Sequence, residues 1–249
     1  PVALEGHQGP LAGVAGHGAQ VGEDAQELAG DHFVGQLVEV RVAAVDRRPG
    51  HPGLAPDVVQ RRWRPLVQEQ AEVFAARRGE FIAVEAAEAA SIPELKAAAD
   101  QIEPLIRVLH ADGVRVEVIA ELVGELNRAV FRRLWELVSP EDLRARSCLI
   151  VMGSEGRGEQ IIKTDQDNAL LLRDGFTCPQ LEEVTQAFTD ALISFGYPPC
   201  PGRIMLTEAC WRQSVAGFRS QLREWIYSSD RVGPMRLAIM MDAAAVAGD

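Results

Sequence analysis

Two aspartates follow a glycine-rich turn in the segment G-S-E-G-R-G-E-Q-I-I-K-T-D-Q-D-N-A-L-L-L, which runs from Gly153 to Leu172. Asp165 and Asp167 are two residues apart at the start of an apolar run, so a strand beginning there would project both carboxylates from one face. Hard divalent cations such as Mg²⁺ take oxygen ligands and are usually held by one or two carboxylates together with substrate phosphates. The pattern therefore predicts a metal-assisted phosphate site.

The glycine turn before the aspartates could receive the phosphate. Gly153 lets the backbone approach closely, and the Ser154 hydroxyl adds a hydrogen-bond donor. Arg157 and Lys163 could neutralise phosphate charge or pair with the neighbouring glutamates, and the sequence leaves both interpretations open. The combination indicates two-metal phosphoryl or nucleotidyl transfer, in which one Mg²⁺ activates the attacking hydroxyl and a second steadies the leaving pyrophosphate.

Two well-known phosphate loops do not match this turn. Gly153 and Gly158 have the spacing of a Walker A loop, but Glu159 stands at the lysine position, where its charge would repel phosphate. Gly156 and Gly158 could open a dinucleotide-binding fingerprint, but Ile161 occupies the third glycine position. The acid pair therefore remains the main functional signal.

Short apolar runs and a helical pattern surround the motif. Ser147–Met152 and Asp167–Leu172 are predicted as two paired strands, and the next helix is expected to begin at a Thr177 cap and end at Gly196. The later run R-L-A-I-M-M-D-A, residues 236–243, is predicted as a further strand. This order of elements predicts an α/β or α+β core.

Helices are predicted before that core, over residues 71–146. Ser91 and Glu94 form a capping box, and Pro104 is expected to kink or break the helix that follows. A long apolar stripe at helical spacing comes next, and nothing in it suggests catalysis. We therefore interpret residues 71–146 as a helical packing region and assign the catalytic core to residues 147–249.

Two features near the C-terminus have structural explanations. Large aromatic residues recur every seven positions at Trp211, Phe218 and Trp225. This spacing favours packing between helices over a surface that stacks on bases. Cys200 lies between two prolines and is interpreted as a buried turn residue rather than a nucleophile.

The first 70 residues differ in composition from the rest. They contain no Ser, Thr, Asn, Lys, Ile, Tyr, Met or Cys, yet they hold ten of the 22 glycines and four of the five histidines. A flexible low-complexity leader and translation of GC-rich DNA in a wrong reading frame both explain this bias, and we hypothesise the second. The histidine spacing is too irregular to indicate a metal site, so no function is assigned to residues 1–70.

Overall composition excludes several classes of protein. The formal net charge is −11 with no long Lys/Arg run, which argues against a dedicated nucleic-acid surface. The four cysteines form no C-x-x-C pair, and a reduced cytoplasmic protein is the expectation. No stretch approaches the roughly 20 apolar residues of a membrane span, so no membrane partner is expected.

The complete motif resembles a known group of enzymes. G-S-x-G-R-G-E, with one aspartate six residues later and another two residues beyond it, resembles the nucleotidyltransferase domain of bacterial PII uridylyltransferase. The longer run G-S-E-G-R-G-E-Q with T-D-Q-D-N-A-L is still more similar to signal-transduction nucleotidyltransferases that are often fused to CBS-pair or cyclic-nucleotide-binding domains. The resemblance extends from about Ala71 to the C-terminus and includes C-P-G-R-I-M at residues 200–205, Trp211, Trp225 and the final D-A-A-A-V-A-G-D.

This resemblance implies an α+β fold, in which a helical region precedes a core like the palm of DNA polymerase β, with a mixed sheet and flanking helices. It also implies that Ser154 contacts the triphosphate and that Asp165 and Asp167 bind metal. Asp242 is the candidate for a third catalytic and metal-binding carboxylate on a later strand. Mg²⁺, in a two-ion site, is the expected cofactor, and an NTP is the expected substrate.

The chain departs from the pattern of its relatives at three points. Ala244 stands where relatives carry an arginine, and Glu208-Ala209 stands where they tend to have Asn-Pro. Relatives also continue into a C-terminal helical domain after the position of Asp249, so the core is expected to be truncated at its C-terminus.

Two functions are consistent with these residues. The first is transfer of an NMP group from an NTP to a hydroxyl acceptor, such as a protein tyrosine, by Mg²⁺-dependent in-line attack. The alternative is a regulatory module in signal transduction that binds the nucleotide but has impaired turnover. Templated polymerisation is disfavoured because the chain is acidic and shows no basic groove.

Overall fold

The computed structural model describes residues 56–228 and 231–248, with side chains from residue 71 onward. The residues from Trp63 onward belong to one compact unit. Residues 1–55 of the predicted leader lie outside the described residues, and the interpretation of the leader stays a prediction. The first helix, α1 (Pro56–Glu88), runs through the predicted boundary at residue 71.

A helical region precedes the sheet. Its buried side chains are mostly apolar and form one continuous cluster with the sheet residues that face it. After α1 its helices are α2 (Ile92–Ala99), α3 (Ile102–Ala111), α4 (Val116–Val138) and the single turn α5 (Glu141–Arg144).

Local signals explain where these helices begin. The backbone N–H of Glu94 donates to the Ser91 hydroxyl, and the Glu94 carboxylate accepts from the backbone N–H of Ala90, so the predicted capping box is confirmed. Helix α2 ends at its cap residue Asp100, and α3 begins after it, so Pro104 lies in the first turn of α3. Proline is tolerated there because first-turn N–H groups have no partner within the helix.

The sheet has four strands, β1 (Ser147–Val151), β2 (Asn168–Leu172), β3 (Arg212–Ser214) and β4 (Ala244–Ala247). Their order in the sheet is β3-β2-β1-β4. Strands β1 and β2 are antiparallel with Ser147 opposite Leu172, β4 pairs antiparallel with β1, and β3 runs parallel to β2. The predicted pairing of the first two apolar runs is confirmed.

Four helices complete the core: α6 (Gly153–Gly156), α7 (Leu181–Ser194), α8 (Val215–Tyr227) and α9 (Val232–Met241). Two details of the sequence prediction were wrong. The run at residues 236–243 was predicted as a strand but lies mostly in α9. A short continuous apolar run has no period, so the sequence alone could not distinguish a strand from a helix there. Helix α7 begins after Gln180 rather than at a Thr177 cap, since the Leu181 N–H donates to the Cys178 carbonyl and closes a turn ahead of the helix.

Aromatic side chains stabilise both faces of the sheet. Trp135 of α4 packs edge-on against Phe188 of α7, with ring centroids 5.8 Å apart. Trp211 and Trp225 lie 5.2 Å apart in a second apolar cluster that also contains Phe218, which confirms their prediction as packing residues. The helical region followed by a mixed sheet with flanking helices confirms the predicted α+β class.

Candidate functional site

The glycine turn and the aspartates meet at one end of the β1–β2 pair. The backbone N–H of Met152 donates to the Asp167 carbonyl at 2.9 Å, so β1 ends where the D-Q-D segment leads into β2. Between the two aspartates, Gln166 is buried and donates from Nε2 to the carbonyls of Thr189 and Tyr197. Successive side chains of an extended segment point to opposite faces, so with Gln166 turned inward Asp165 and Asp167 both lie on the opposite face.

Asp165, Asp167 and Cys200 converge to form an acid–thiol cluster. One ligand atom from each residue lies within 4.8 Å of the others. Asp165 is exposed, Asp167 is half-buried and Cys200 is buried. Among the residues that the structure describes, this is the one group of three or more carboxylate, thiol or imidazole side chains that could hold a metal ion.

The glycine turn packs directly on this cluster. Gly153 has φ +59°, and a Cβ added there would lie 2.7 Å from Asp167 Oδ2. A Cβ added at Gly156 would lie 2.0 Å from the backbone carbonyl oxygen of Asp242. Only glycine allows both close approaches, and Ser154 is half-buried between the two glycines.

Burial sets the protonation of the cluster. It raises the pKa of Asp167, an effect that the Cys200 hydrogen bond opposes and the Asp165 charge reinforces. Burial and the hydrogen bond to Asp167 raise the pKa of the Cys200 thiol to about 11, so at neutral pH the thiol keeps its proton. A protonated thiol is a poor nucleophile, which agrees with the prediction that Cys200 is a buried turn residue and not a nucleophile.

One carboxylate oxygen in the cluster has no hydrogen-bond partner. Asp167 Oδ1 is buried without a donor among the described residues. A buried carboxylate oxygen without a partner is costly, and a cation bound between the two aspartates would satisfy it. The carboxylate oxygens of Asp165 and Asp167 are ligands that suit Mg²⁺, so the residues present fit the expected cofactor.

The two basic residues of the motif have different environments. Arg157 is exposed, donates from Nε to Glu159 at 2.9 Å and pairs through Nη1 with Asp242. Lys163 Nζ donates to the Phe195 carbonyl at 2.6 Å and lies 3.6 Å from Asp100 Oδ1. Lys163 thus anchors the loop to its neighbours, whereas Arg157 bridges the turn and the third predicted carboxylate.

Asp242 lies at the C-terminal cap of α9, two residues before the start of β4, rather than on a strand as predicted. Its backbone touches the turn at Gly156, but its side chain is outside the acid–thiol cluster and is held by Arg157. The role of Asp242 as a third metal ligand stays a prediction.

A buried polar chain connects the turn to the helical region. Asn127 Nδ2 of α4 donates to Glu155 Oε2 at 3.1 Å, and the Tyr197 hydroxyl donates to Asn127 Oδ1 at 2.6 Å. Glu155 is only 5% exposed, and burial raises its pKa to about 7 although Asn127 and Arg128 act in the opposite direction. Sequence reasoning missed this chain because its three residues are distant in sequence.

Sequence reasoning also missed Cys200 as a neighbour of the aspartates. Its signal was a cysteine in a proline-rich turn, which does not reveal what the thiol faces. The isolated bridge between Gln166 and Pro199 brings this turn beside the D-Q-D segment. A contact made through the tertiary fold therefore defines the third member of the cluster.

Comparison with known proteins identifies the family. A family model described as "Putative nucleotidyltransferase DUF294" matches residues 100–232, which is more than half of the chain and includes the glycine turn, both aspartates and Cys200. A search of curated proteins found no match to the chain. Among the described residues, no helix has both the length and the apolar character needed to cross a membrane. The chain belongs to the DUF294 family of nucleotidyltransferase domains.

Proposed function

We propose that this protein transfers an NMP group from an NTP to a hydroxyl acceptor in an Mg²⁺-dependent reaction. The observation that carries the proposal is the close packing of the glycine turn on the acid pair, with 2.7 Å between a Cβ built at Gly153 and Asp167 Oδ2. A triphosphate cradled by this turn lies beside the carboxylates, where a cation can contact both. The family match supports nucleotidyl transfer as the general reaction.

The residues divide the work by position. Asp165 and Asp167 hold Mg²⁺, with Asp242 as the proposed third carboxylate, and Ser154 donates a hydrogen bond to a phosphate oxygen. When bound, Mg²⁺ supplies the Lewis acidity that activates the acceptor hydroxyl and offsets the charge of the leaving pyrophosphate. The acceptor oxygen forms the new P–O bond at the α-phosphorus in line with the breaking bond to pyrophosphate, which leaves with that bond's electron pair, and the hydroxyl proton passes to solvent.

Arg157 is the better placed of the two proposed cationic phosphate contacts. Its guanidinium is exposed and already spans the turn, so a phosphate can replace one of its two carboxylate partners. Lys163 has to leave both the Phe195 carbonyl and Asp100 before it can reach a ligand. We therefore expect Arg157 to contribute more to nucleotide affinity than Lys163.

The acceptor is proposed to be a regulatory protein, as in the uridylyltransferase that the motif resembles, which would place the reaction in signal transduction. The four free cysteines agree with a reducing compartment, and the cytoplasm is the proposed location. The alternative is a regulatory nucleotide-binding module with impaired turnover. Two points favour that alternative: Ala244 stands where the motif resemblance implies an arginine, and Arg157 is paired with the Asp242 carboxylate.

Calorimetric titration of the full chain with MgATP and MgUTP tests the proposal. We expect binding of at least one nucleotide, and a loss of affinity of about ten-fold or more in Asp167→Asn, because a neutral amide oxygen is a much weaker Mg²⁺ ligand than a charged carboxylate. Asp190→Asn is the matched control, since Asp190 is an exposed acid on α7 outside the cluster. Unchanged nucleotide binding in Asp167→Asn would contradict the proposal.

Product analysis separates the two functions. The protein is incubated with an α-labelled NTP, Mg²⁺ and a lysate fraction as the source of acceptor, and labelled macromolecule and pyrophosphate are measured. Label transfer with pyrophosphate release supports the transferase. Mg²⁺-dependent binding that yields neither product supports the regulatory module.

A further inference from the structure

We propose that Asp165, Asp167 and Cys200 form a binding site for a thiophilic divalent cation, with Zn²⁺ as the representative ion. This site shares its two aspartates with the proposed Mg²⁺ site, but it does not depend on the transfer reaction. Zn²⁺ would therefore compete with Mg²⁺ for one position and act as an inhibitor of any Mg²⁺-dependent activity there.

Backbone hydrogen bonds fix the turn that carries the thiol. The N–H of Gln166 donates to the Pro198 carbonyl at 3.0 Å, and the N–H of Asn168 donates to the Ile204 carbonyl at 3.1 Å. Asn168 Oδ1 also accepts from the N–H of Leu206 at 2.9 Å. Since the turn is bound to the D-Q-D segment on both sides of Cys200, the thiol is held in position before any ion arrives.

The donor set fits zinc better than magnesium. Zn²⁺ accepts thiolate and carboxylate ligands and is commonly held by three protein ligands with a fourth position open to water or substrate. Mg²⁺ demands oxygen ligands in a near-octahedral arrangement, so the sulfur adds nothing to its affinity. A site intended only for Mg²⁺ needs no thiol, and the chemistry of Cys200 makes this cluster selective for softer ions.

The spacing of the donors is close to what one ion requires. Ligand atoms at about 2.0–2.3 Å from a tetrahedral Zn²⁺ stand roughly 3–4 Å apart. The three donor atoms here lie within 4.8 Å of one another, so a small movement of the exposed Asp165 completes the set. Asp167 Oδ1, buried without a partner, is the second observation that indicates a ligand at this position.

Binding exchanges a proton for a metal ion. In the absence of an ion, the Cys200 thiol donates a hydrogen bond to the Asp167 carboxylate. On coordination the S–H bond breaks, an S–metal bond forms and the proton passes to solvent, with no change of oxidation state. The same two groups that are hydrogen-bonded to each other become neighbouring ligands.

Titration of the full chain with Co²⁺ and Cd²⁺, without nucleotide, tests the site. Thiolate coordination produces a sulfur-to-metal charge-transfer absorption band, and Zn²⁺ added afterwards should displace the coloured Co²⁺. We expect one ion per cluster, with the band retained in Cys178→Ser, whose half-buried thiol lies outside the cluster. Cys200→Ser should lose the band and bind Zn²⁺ at least about ten-fold more weakly.

A second variant keeps the test decisive if Cys200→Ser does not fold, as judged by circular dichroism. Asp165→Asn alters an exposed side chain and should keep the thiolate band while weakening Zn²⁺ affinity. Absence of the band from the wild-type protein, or full Zn²⁺ affinity in Asp165→Asn, overturns the proposal. Failure of NTP transfer leaves these metal-binding results unaffected, so the two proposals fail separately.

Discussion

The helical region and the edge of the sheet that carries the aspartates treat buried polar groups differently. Between α2 and α4 the buried side chains are nearly all apolar, and the buried amide of Asn127 makes hydrogen bonds through both its oxygen and its nitrogen. The buried side-chain atoms that lack a partner, among the described residues, lie instead in or beside the glycine turn and the D-Q-D segment. They are Glu155 Oε1, Gln166 Oε1, Asp167 Oδ1 and Thr189 Oγ1.

This contrast separates packing from function. A buried polar atom without a partner costs about 1–3 kcal/mol, so a region selected only for stability would not collect several of them. The helical region gains its stability from apolar burial, while the turn keeps polar atoms and a left-handed glycine close together. Such departures from local optimum are expected at functional sites, where a ligand satisfies groups that the protein leaves unpaired.

The largest effect is expected in the helical region, from Trp135→Ala. The Trp135 side chain is 1% exposed and packs against Phe188, so its removal leaves a large cavity. We expect the free energy of unfolding to fall by about 3–5 kcal/mol, measured by urea denaturation. Trp135→Phe keeps part of the ring contact and should lose clearly less. A loss below about 1 kcal/mol for the alanine variant would show that this region is not the stabilising core.

At the glycine turn, Glu155→Gln is expected to raise the free energy of unfolding at high pH, the opposite of the effect of Trp135→Ala. The folded protein holds the Glu155 proton up to a pKa of about 7, whereas the unfolded chain releases it near 4.5. Stability due to this group is therefore complete below pH 4.5 and is lost as the pH rises to 7. Glutamine cannot ionise, so the variant should be more stable at pH 8 by on the order of 3 kcal/mol, with no difference at pH 4.

Denaturation curves at several pH values measure this change. Glu159→Gln on the same turn is the control, because Glu159 is exposed and its substitution should alter stability little at any pH. If Glu155→Gln is destabilising at pH 8, then the buried carboxylate stabilises the turn and the contrast between the two regions fails.

Elements with strong local signals could be predicted from the sequence. Strands β1 and β2 each follow from a short apolar run, and the two runs are joined by the motif segment alone. The α2 cap follows from a capping box that spans only four residues. The prediction of a strand at residues 236–243 was wrong, because the secondary structure of this run depends on its packing against helix α8. Local sequence does not contain that information.

The site divides in the same way. Asp165 and Asp167 could be found because their spacing and the preceding turn are local. Cys200, Asn127 and Tyr197 could not, since each reaches the site through a tertiary contact. The partners of Arg157 and Lys163 were left open by the sequence, and the structure pairs Arg157 with Glu159 and Asp242 and Lys163 with Asp100.

The smallest effect is expected at the α2 cap, from Ser91→Ala. The Ser91 hydroxyl accepts from the Glu94 N–H at 3.4 Å and donates to the Glu94 carboxylate at 3.0 Å, in an exposed position. Loss of such a cap costs about 1 kcal/mol, which urea denaturation can resolve, and Ser91→Thr should restore most of it. At this cap the Ser91 and Glu94 side chains are hydrogen-bonded to each other, so removing one should destabilise the protein, whereas removing the Glu155 charge should stabilise it. Equal signs for the two variants at pH 8 would show that the turn, like the helical region, is built for stability alone.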